Sequence, residues 1–362
     1  MLSLGLTYAE TTLYGNVDQA WNKSTQKSGG ATTSDKTGFA SVQMGGGVLG
    51  VKGTEDLSDG LKASYTIEIQ PGIDGDSGDW NRQSFVGLSG GFGALRIGKQ
   101  YSNAFNNTVG VDPGGATGVA GNNSYCVLLG YTKCIGGSDA PLRQPNGMQY
   151  DLPEMLPGLK VGLTVVLGEK DIGNTGNGNG ISVSYSSGPF YAGYTFDSVK
   201  NTGIGLLSSP GQTVAYDGTK GATVNVTKTG FDVADASPSD QNKLTTMSAS
   251  YNLGVAKLSI NNSKMSVGSK SVDNTFVAVS VPFGGNANVW ASVSKGSTYL
   301  SSSNTSIVGT NAGDKDHEGF QLGVNYALSK RTVAYAQYGK MELQSTKAFE
   351  QTGTAIGIHH SF

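Results

Sequence analysis

Apolar and polar side chains alternate with a period of two residues in many short segments of this chain. In one segment, Met247, Ala249 and Tyr251 alternate with Ser248 and Ser250. Because successive side chains of a β-strand point to opposite faces, each segment predicts a strand with one apolar and one polar face. Sixteen such segments occur, at approximately 11–21, 38–53, 61–70, 81–90, 92–101, 146–152, 158–168, 180–187, 190–199, 244–253, 255–264, 274–282, 286–295, 319–328, 331–340 and 353–362.

The connections between these segments alternate between short turns and long loops. The long ones are 22–37, 71–80, 102–145, 169–179, 200–243, 265–273, 296–318 and 341–352. An up-and-down membrane barrel has this arrangement, with an even number of strands, short turns at one end and long loops at the other. The sequence therefore predicts an all-β fold, a 16-stranded antiparallel transmembrane β-barrel, that fills residues 10–362 as a single domain.

Composition is consistent with many strands and turns. Glycine supplies 55 of 362 residues, charged residues are only 14%, and the formal net charge is −2. No apolar run approaches the roughly 18 residues that a membrane-spanning helix needs. The absence of a block of lysine and arginine argues against a nucleic-acid partner.

Residues 1–9 allow two interpretations. Leu4, Leu6 and Ala9, just before Glu10, are typical of the tail of a signal peptide, and we expect a signal-peptide remnant here. The alternative is that these residues extend the first strand.

The strand number itself predicts a pore. At sixteen strands the interior of a barrel is too wide for side chains to fill, and a water channel remains. Segment 102–145 follows the fifth predicted strand, and loops of this length are usually functional. Folded inward, it would form a constriction; the alternative is an external loop.

Two further features concern the third long loop and the chain end. Cys126 and Cys134 lie within 102–145, and their even number and close spacing predict a disulfide in an oxidising compartment, with two free thiols as the alternative.

Phe362 ends the last predicted strand on the same face as Ile356 and Ile358. An aromatic residue there suits the interfacial girdle of a membrane barrel and predicts a membrane-assembly signal.

Several short motifs, in order along the chain, resemble a known family: the trimeric general diffusion porins of Gram-negative outer membranes, in the neisserial and betaproteobacterial branch. The resemblance runs from about Thr12 to Phe362. It is carried by Thr12-Leu13-Tyr14-Gly15-Asn16-Val17-Asp18, Gly53-Thr54-Glu55-Asp56-Leu57, Arg82-Gln83-Ser84-Phe85-Val86-Gly87-Leu88-Ser89-Gly90 with Phe92-Gly93, Asp112-Pro113, Tyr326-Ala327-Leu328-Ser329-Lys330-Arg331-Thr332 and Gly357-Ile358-His359-His360-Ser361-Phe362.

The resemblance implies a sixteen-stranded homotrimer whose third loop folds inward and faces basic residues on the barrel wall. Many members prefer anions. Of three wall arginines expected from the family, Arg82 is retained, whereas Val48 and Gln149 occupy the other two positions. Lys52 stands at the basic position of the first turn, and Arg143 is the retained first arginine of its motif.

Strand parity places Lys52, Arg82, Arg96 and Gln149 on the lumen face, with Glu68 on the same face of a neighbouring strand. Asp112 falls inside the third loop. Since selectivity follows the charge that lines a narrow pore, the reduced basic cluster predicts a weakly selective pore with a mild preference for anions. The alternative for each charge is a solvated lumen residue without effect on selectivity.

Catalytic and metal-binding patterns are not found in the sequence, so we expect no enzyme, no cofactor and no metal site. His317 lies in a charged segment that we expect to be a solvated loop, and His359 and His360 fall on opposite faces of the last strand.

The leading hypothesis is an outer-membrane porin for small hydrophilic solutes and ions, surrounded by outer-membrane lipid and lipopolysaccharide. The alternatives are a substrate-specific channel and a surface adhesin or binding barrel.

Overall fold

The computed structural model describes residues 10–41, 44–45, 47–72, 82–115, 119, 143–168, 177–200, 241–267, 270–300, 313–343 and 349–362. The predicted signal remnant, residues 1–9, lies outside these ranges. No helix in this part of the chain is long and apolar enough to cross a membrane.

The described residues form seventeen strand segments and a helix, α1. In chain order they are β1 (Glu10–Ser28), β2 (Ala31–Ser41), β3 (Val48–Ser58), β4 (Leu61–Ile69), β5 (Ser84–Gly90), β6 (Gly93–Tyr101), α1 (Asn103–Val109), β7 (Arg143–Asp151), β8 (Leu159–Val166), β9 (Gly178–Ser187), β10 (Phe190–Lys200), β11 (Gln241–Asn252), β12 (Lys257–Val267), β13 (Lys270–Phe283), β14 (Ala287–Leu300), β15 (Gly313–Ala327), β16 (Thr332–Leu343) and β17 (Phe349–Ser361).

These segments close into a 16-stranded antiparallel barrel, which confirms the predicted fold. From β3 onward each strand pairs with the next, and β17 returns to pair with β1. On its other side β1 pairs with two segments, with β2 through Gln19–Ser28 and with β3 through Glu10–Asn16. Segments β2 and β3 therefore share one strand position, so the seventeen described segments fill sixteen positions.

The two faces of the strands differ as the period-two pattern predicts. On β14, Val289 and Val293 are 49% and 60% exposed, whereas the intervening Trp290 and Ser292 are 2% and 8% exposed. Leaving so much apolar surface in water would cost about 25 cal/mol per Å². A lipid environment removes that cost. The exposed apolar residues of the outer face include Leu13, Ile67, Val86, Ile97, Leu163, Met247, Ile260, Val277, Leu322 and Ile356.

Parts of the segments predicted as long loops are strand in the structure, and the prediction is wrong at these residues. Most of 22–37 belongs to β1 and β2, which are joined by a two-residue turn. That turn is possible because Gly29 and Gly30 adopt φ values of 58° and 84°, which favour glycine. His317, expected in a solvated loop, lies buried on β15, with Nε2 3.1 Å from Asn274 Oδ1. In these segments the strands continue through polar residues that still pair with their neighbours. The end of the apolar alternation therefore does not mark the end of the strand.

The C-terminal residue takes part in the closure of the barrel. The Phe362 backbone N–H donates to the Gly15 carbonyl at 3.0 Å, and the Gly15 N–H donates back at 3.3 Å. The Phe362 ring lies over Gly15, where an added Cβ would be 2.7 Å from Phe362 Cζ and would also collide with the Val48 carbonyl. Glycine is therefore required for the ring to pack at this seam.

We predict that Gly15→Val weakens the seam. The added side chain has no room, and overpacking of this kind costs about 1–3 kcal/mol. The measurement is the fraction of protein that migrates as the folded, heat-modifiable form on a denaturing gel, which should fall. Gly38→Val is the matched control, because Gly38 lies on exposed strand with nothing within 4 Å of the added Cβ. Equal folded fractions for the two variants would contradict the prediction.

Candidate pore constriction

The segment after β6 enters the barrel and is fixed to the far wall by hydrogen bonds. The Ser102 hydroxyl caps α1 by accepting from the Phe105 N–H at 3.1 Å. The buried Asn107 side chain donates to Thr246 Oγ1 at 2.9 Å and accepts from the Tyr191 hydroxyl at 2.9 Å. Since Tyr191 and Thr246 lie on β10 and β11, α1 is fixed to this side of the lumen.

Beyond α1 the same segment follows the inner wall. Val111 packs with Phe276 and Ala278 of β13. Val119 packs against Ala20 and Tyr335, on β1 and β16. The described loop residues thus line the wall from β10 round to β1, as the predicted inward fold requires. In the closed barrel, β3 to β6 lie opposite β11 to β14.

A buried ion pair lies on that opposite wall. Arg82 Nε is 3.9 Å from Glu68 Oε2, and the two side chains are 6% and 8% exposed. Glu68 also accepts hydrogen bonds from the Tyr14 hydroxyl at 2.8 Å and from Gln83 Nε2 at 3.1 Å. Arg82 Nη1 donates to Gln70 Oε1 at 3.1 Å. Buried charges are tolerated only when paired and hydrogen-bonded, and both members of this pair are.

Two further cations lie beside this pair. Lys52 Nζ is 4.8 Å from the centre of the Tyr14 ring. Arg143 Cζ is 5.0 Å from the centre of the Tyr101 ring. Together with Arg82 and Glu68, they make three cationic side chains and one anionic side chain, an excess of two positive charges. We call Lys52, Glu68, Arg82 and Arg143, with Tyr14 and Tyr101, the wall cluster.

Arg96 and Gln149 are paired on neighbouring strands, closer to the short turns. The register sets Arg96 opposite Gln149, and Arg96 Nη2 donates to Asp151 Oδ2 at 2.7 Å and to Gln149 Oε1 at 3.3 Å. The salt bridge to Asp151 offsets the charge of Arg96. Gln149 is nevertheless connected to the wall cluster, because its Nε2 donates to the Tyr101 carbonyl at 2.9 Å.

Asp112 does not join the wall cluster. Its Oδ1 accepts from the Gly114 N–H at 2.8 Å and closes a turn of the loop. The residue borders a small cavity with Lys257, Ser259 and Asn288, on β12 and β14. Cys126 and Cys134 lie outside the described residues. Among the residues that the structure describes, no three His, Cys, Asp or Glu side chains are grouped so as to hold a metal ion.

Sequence reasoning missed four residues that organise the constriction: Tyr14, Gln83, Tyr101 and Asn107. Tyr14 and Gln83 stand inside motifs that carry the family resemblance, but their partners lie 54 and 15 residues away in sequence. Tyr101 and Asn107 had no motif to mark them. The one signal that could have identified Tyr101 is an aromatic residue at the last position of the strand before an inward loop.

We predict that Asn107→Leu loosens the inward segment without unfolding the barrel. The change removes the hydrogen bonds to Thr246 and Tyr191, each worth about 0.5–1.5 kcal/mol. The measurement is single-channel recording, where open-channel noise should rise and mean conductance should change. Asn262→Leu is the control, because Asn262 bonds Thr275 on the outer face of neighbouring strands. Noise and conductance equal to those of the unmodified protein would count against this anchoring role.

Comparison with known proteins agrees with this architecture. Residues 4–346 match the family described as Gram-negative porin. The major outer membrane protein P.IB of Neisseria meningitidis serogroup B is 29% identical over 358 residues, 98% of this chain and 95% of the relative. The P.IB protein of serogroup A is 36% identical over 193 residues, 51% of this chain and 53% of that relative.

Solved structures show the same fold. A structure named as an anion-selective porin from Comamonas acidovorans superposes with a TM-score of 0.72 at 24% identity, and the match covers 98% of this chain and all of that one. OmpT, an outer membrane protein of Vibrio cholerae solved in a trimer form, superposes with a TM-score of 0.63 at 15% identity, covering 98% of this chain and 99% of that one.

Proposed function

The chain belongs to the Gram-negative porin family, and we propose that its barrel is a weakly selective diffusion channel with a mild preference for anions. As an outer-membrane porin it is a channel rather than an enzyme. It provides a water-filled passage for the passive diffusion of small hydrophilic solutes and ions. The observation that supports the proposed selectivity is the charge of the wall cluster, which has three cationic side chains and one anionic side chain.

The charges of the cluster favour anions. Lys52, Arg82 and Arg143 outnumber Glu68, and charge that lines a narrow, low-dielectric passage acts on a permeating ion more strongly than it would in bulk water. The Comamonas porin is named as anion-selective, and this chain has the same fold.

Two features make the preference mild. The inner-face position Val48, where the family resemblance implies an arginine, carries an apolar side chain, and Gln149 is uncharged. Glu68 is paired with Arg82, so part of the remaining cationic charge is offset locally. Partial neutralisation of this kind lowers the field that a permeating anion meets.

The family and the outer face of the barrel support a proposal for its oligomeric state and for the lipids that surround it. We propose a homotrimer, in line with the trimer form of the OmpT structure. The exposed apolar residues of the outer face suit contact with outer-membrane lipid. Lys23 and Lys264 are exposed on the same face beyond the apolar band, where cationic side chains suit the phosphate groups of lipopolysaccharide.

The experiment is single-channel recording of the purified protein in a planar bilayer under a potassium chloride gradient. Conductance that appears in groups of three steps supports an open trimer. The sign of the reversal potential reports whether anions or cations pass more easily. Folded protein without conductance would overturn the channel proposal, and a clear cation preference would overturn the proposed selectivity.

We predict that two substitutions in the wall cluster shift selectivity in opposite directions. Glu68→Gln removes the anionic charge and should raise the anion-to-cation permeability ratio, whereas Arg82→Gln should lower it, each by about two-fold or more. The reversal potential measures both. Lys264→Gln is the control, since Lys264 is exposed on the outer face of β12 and should leave the ratio unchanged. Shifts of the same sign would refute the assignment of these residues to the passage.

A further inference from the structure

We infer that Tyr101 is a selectivity-determining positioning residue, which holds Arg82 and Arg143 side by side without neutralising them. The inference rests on the proposed function, because it concerns how the constriction discriminates between ions.

The hydroxyl group of Tyr101 accepts hydrogen bonds from both arginines. Arg82 Nη2 donates to it, and Arg143 Nη2 lies 3.5 Å from the same oxygen. The guanidinium carbons of Arg82 and Arg143 are 5.9 Å and 5.0 Å from the centre of the Tyr101 ring. Both distances fall within the range at which a cation is attracted to the electron-rich face of an aromatic ring.

Tyr101 can position the arginines because contacts with other residues fix its own backbone and ring. Its N–H donates to Gln83 Oε1 at 3.1 Å, and its carbonyl accepts from Gln149 Nε2 at 2.9 Å. The ring stacks on Phe105 of α1, with the ring centres 4.7 Å apart and the planes at 26°. Contacts from Gln83, which immediately precedes β5, from β7 and from α1 therefore fix the position of Tyr101.

A neutral hydrogen-bond acceptor differs from a carboxylate in its effect on the net charge of the arginines. Two guanidinium groups that share one acceptor repel each other, and the arrangement needs compensation. A carboxylate would supply it by cancelling one positive charge, as Glu68 does on the other side of Arg82. The hydroxyl oxygen and ring of tyrosine satisfy N–H groups and attract the cations while adding no net charge. Tyr101 therefore holds the arginines without itself cancelling any of their charge.

The same residue connects the wall to the inward segment. Tyr101 ends β6, and Ser102 immediately caps α1. Because Phe105 stacks on Tyr101, the same tyrosine positions both the start of the inward segment and the two arginines. The position of the loop and the charge opposite it are therefore fixed together.

The test compares Tyr101→Leu and Tyr101→Phe with the unmodified protein in a planar bilayer under a potassium chloride gradient. We expect Tyr101→Leu to lower the anion-to-cation permeability ratio by about two-fold or more, because the arginines lose their shared acceptor and ring. Tyr101→Phe keeps the ring and should give an intermediate ratio. Tyr185→Leu is the control for loss of a tyrosine, because Tyr185 is exposed on the outer face of β9.

A double-variant cycle separates positioning of the arginines from a general change in the shape of the pore. If Tyr101 acts through Arg143, then Tyr101→Leu changes the ratio less in an Arg143→Gln background than in the unmodified protein. A change in pore shape alone would move the conductance in both backgrounds and leave this coupling at zero. The effect should also shrink at high salt, because screening weakens the field of the arginines.

Three outcomes would overturn the inference. One is an unchanged permeability ratio in a folded, conducting Tyr101→Leu channel, and another is an equal change in the presence and absence of Arg143. Both leave the proposed channel intact. Lack of conductance in the unmodified, folded protein would overturn the proposed function and this inference with it.

Discussion

The pairing of β1 with β17 is the constraint on which the rest of the structure depends. In lipid, an unpaired strand edge leaves backbone groups without hydrogen bonds, and each such group costs several kcal/mol. The seam runs from Asn16 opposite Ser361 to Lys27 opposite Glu350. Phe362 extends it at one end through backbone hydrogen bonds with Gly15, and the Lys27–Glu350 salt bridge adds a side-chain contact at the other. Closure turns an amphipathic sheet into a barrel with its apolar face outward.

Because the apolar face points outward, the interior of the barrel is organised differently from that of a soluble barrel. A soluble barrel fixes an inner segment by burying apolar side chains, but the polar faces of these strands point inward. The inward segment is therefore held mainly by hydrogen bonds, such as those of Asn107 with Thr246 and Tyr191, with small apolar contacts at Val111 and Val119. Buried polar groups that find partners specify one geometry, because each alternative leaves some of them unsatisfied.

The sequence predicted the barrel well, but it marked only some residues of the wall cluster, for a physical reason. Period-two alternation exists wherever one face meets lipid, so the sixteen strand positions could be predicted, whereas the polar extensions of β1, β2 and β15 carry no such signal. In the wall cluster, Arg82 and Arg143 stand in motifs that the sequence analysis used. Tyr101 was not marked, because its partners come from other strands and meet only through the register. Asp112 was placed in the loop, but its turn directs it to the wall of β12 to β14.

The wall cluster shows how a pore can tune charge without changing the number of arginines. Arg82 lies between two acceptors of different kind, the Glu68 carboxylate on one side and the Tyr101 hydroxyl on the other. The carboxylate satisfies N–H groups and cancels charge, whereas the hydroxyl satisfies N–H groups and leaves the charge in place. The field across the passage therefore depends on which acceptors hold the cations as well as on the cations themselves. Because the barrel closure fixes the register, it also fixes which acceptor each arginine meets, and on the function proposed here the wall sets the selectivity of the pore in this way.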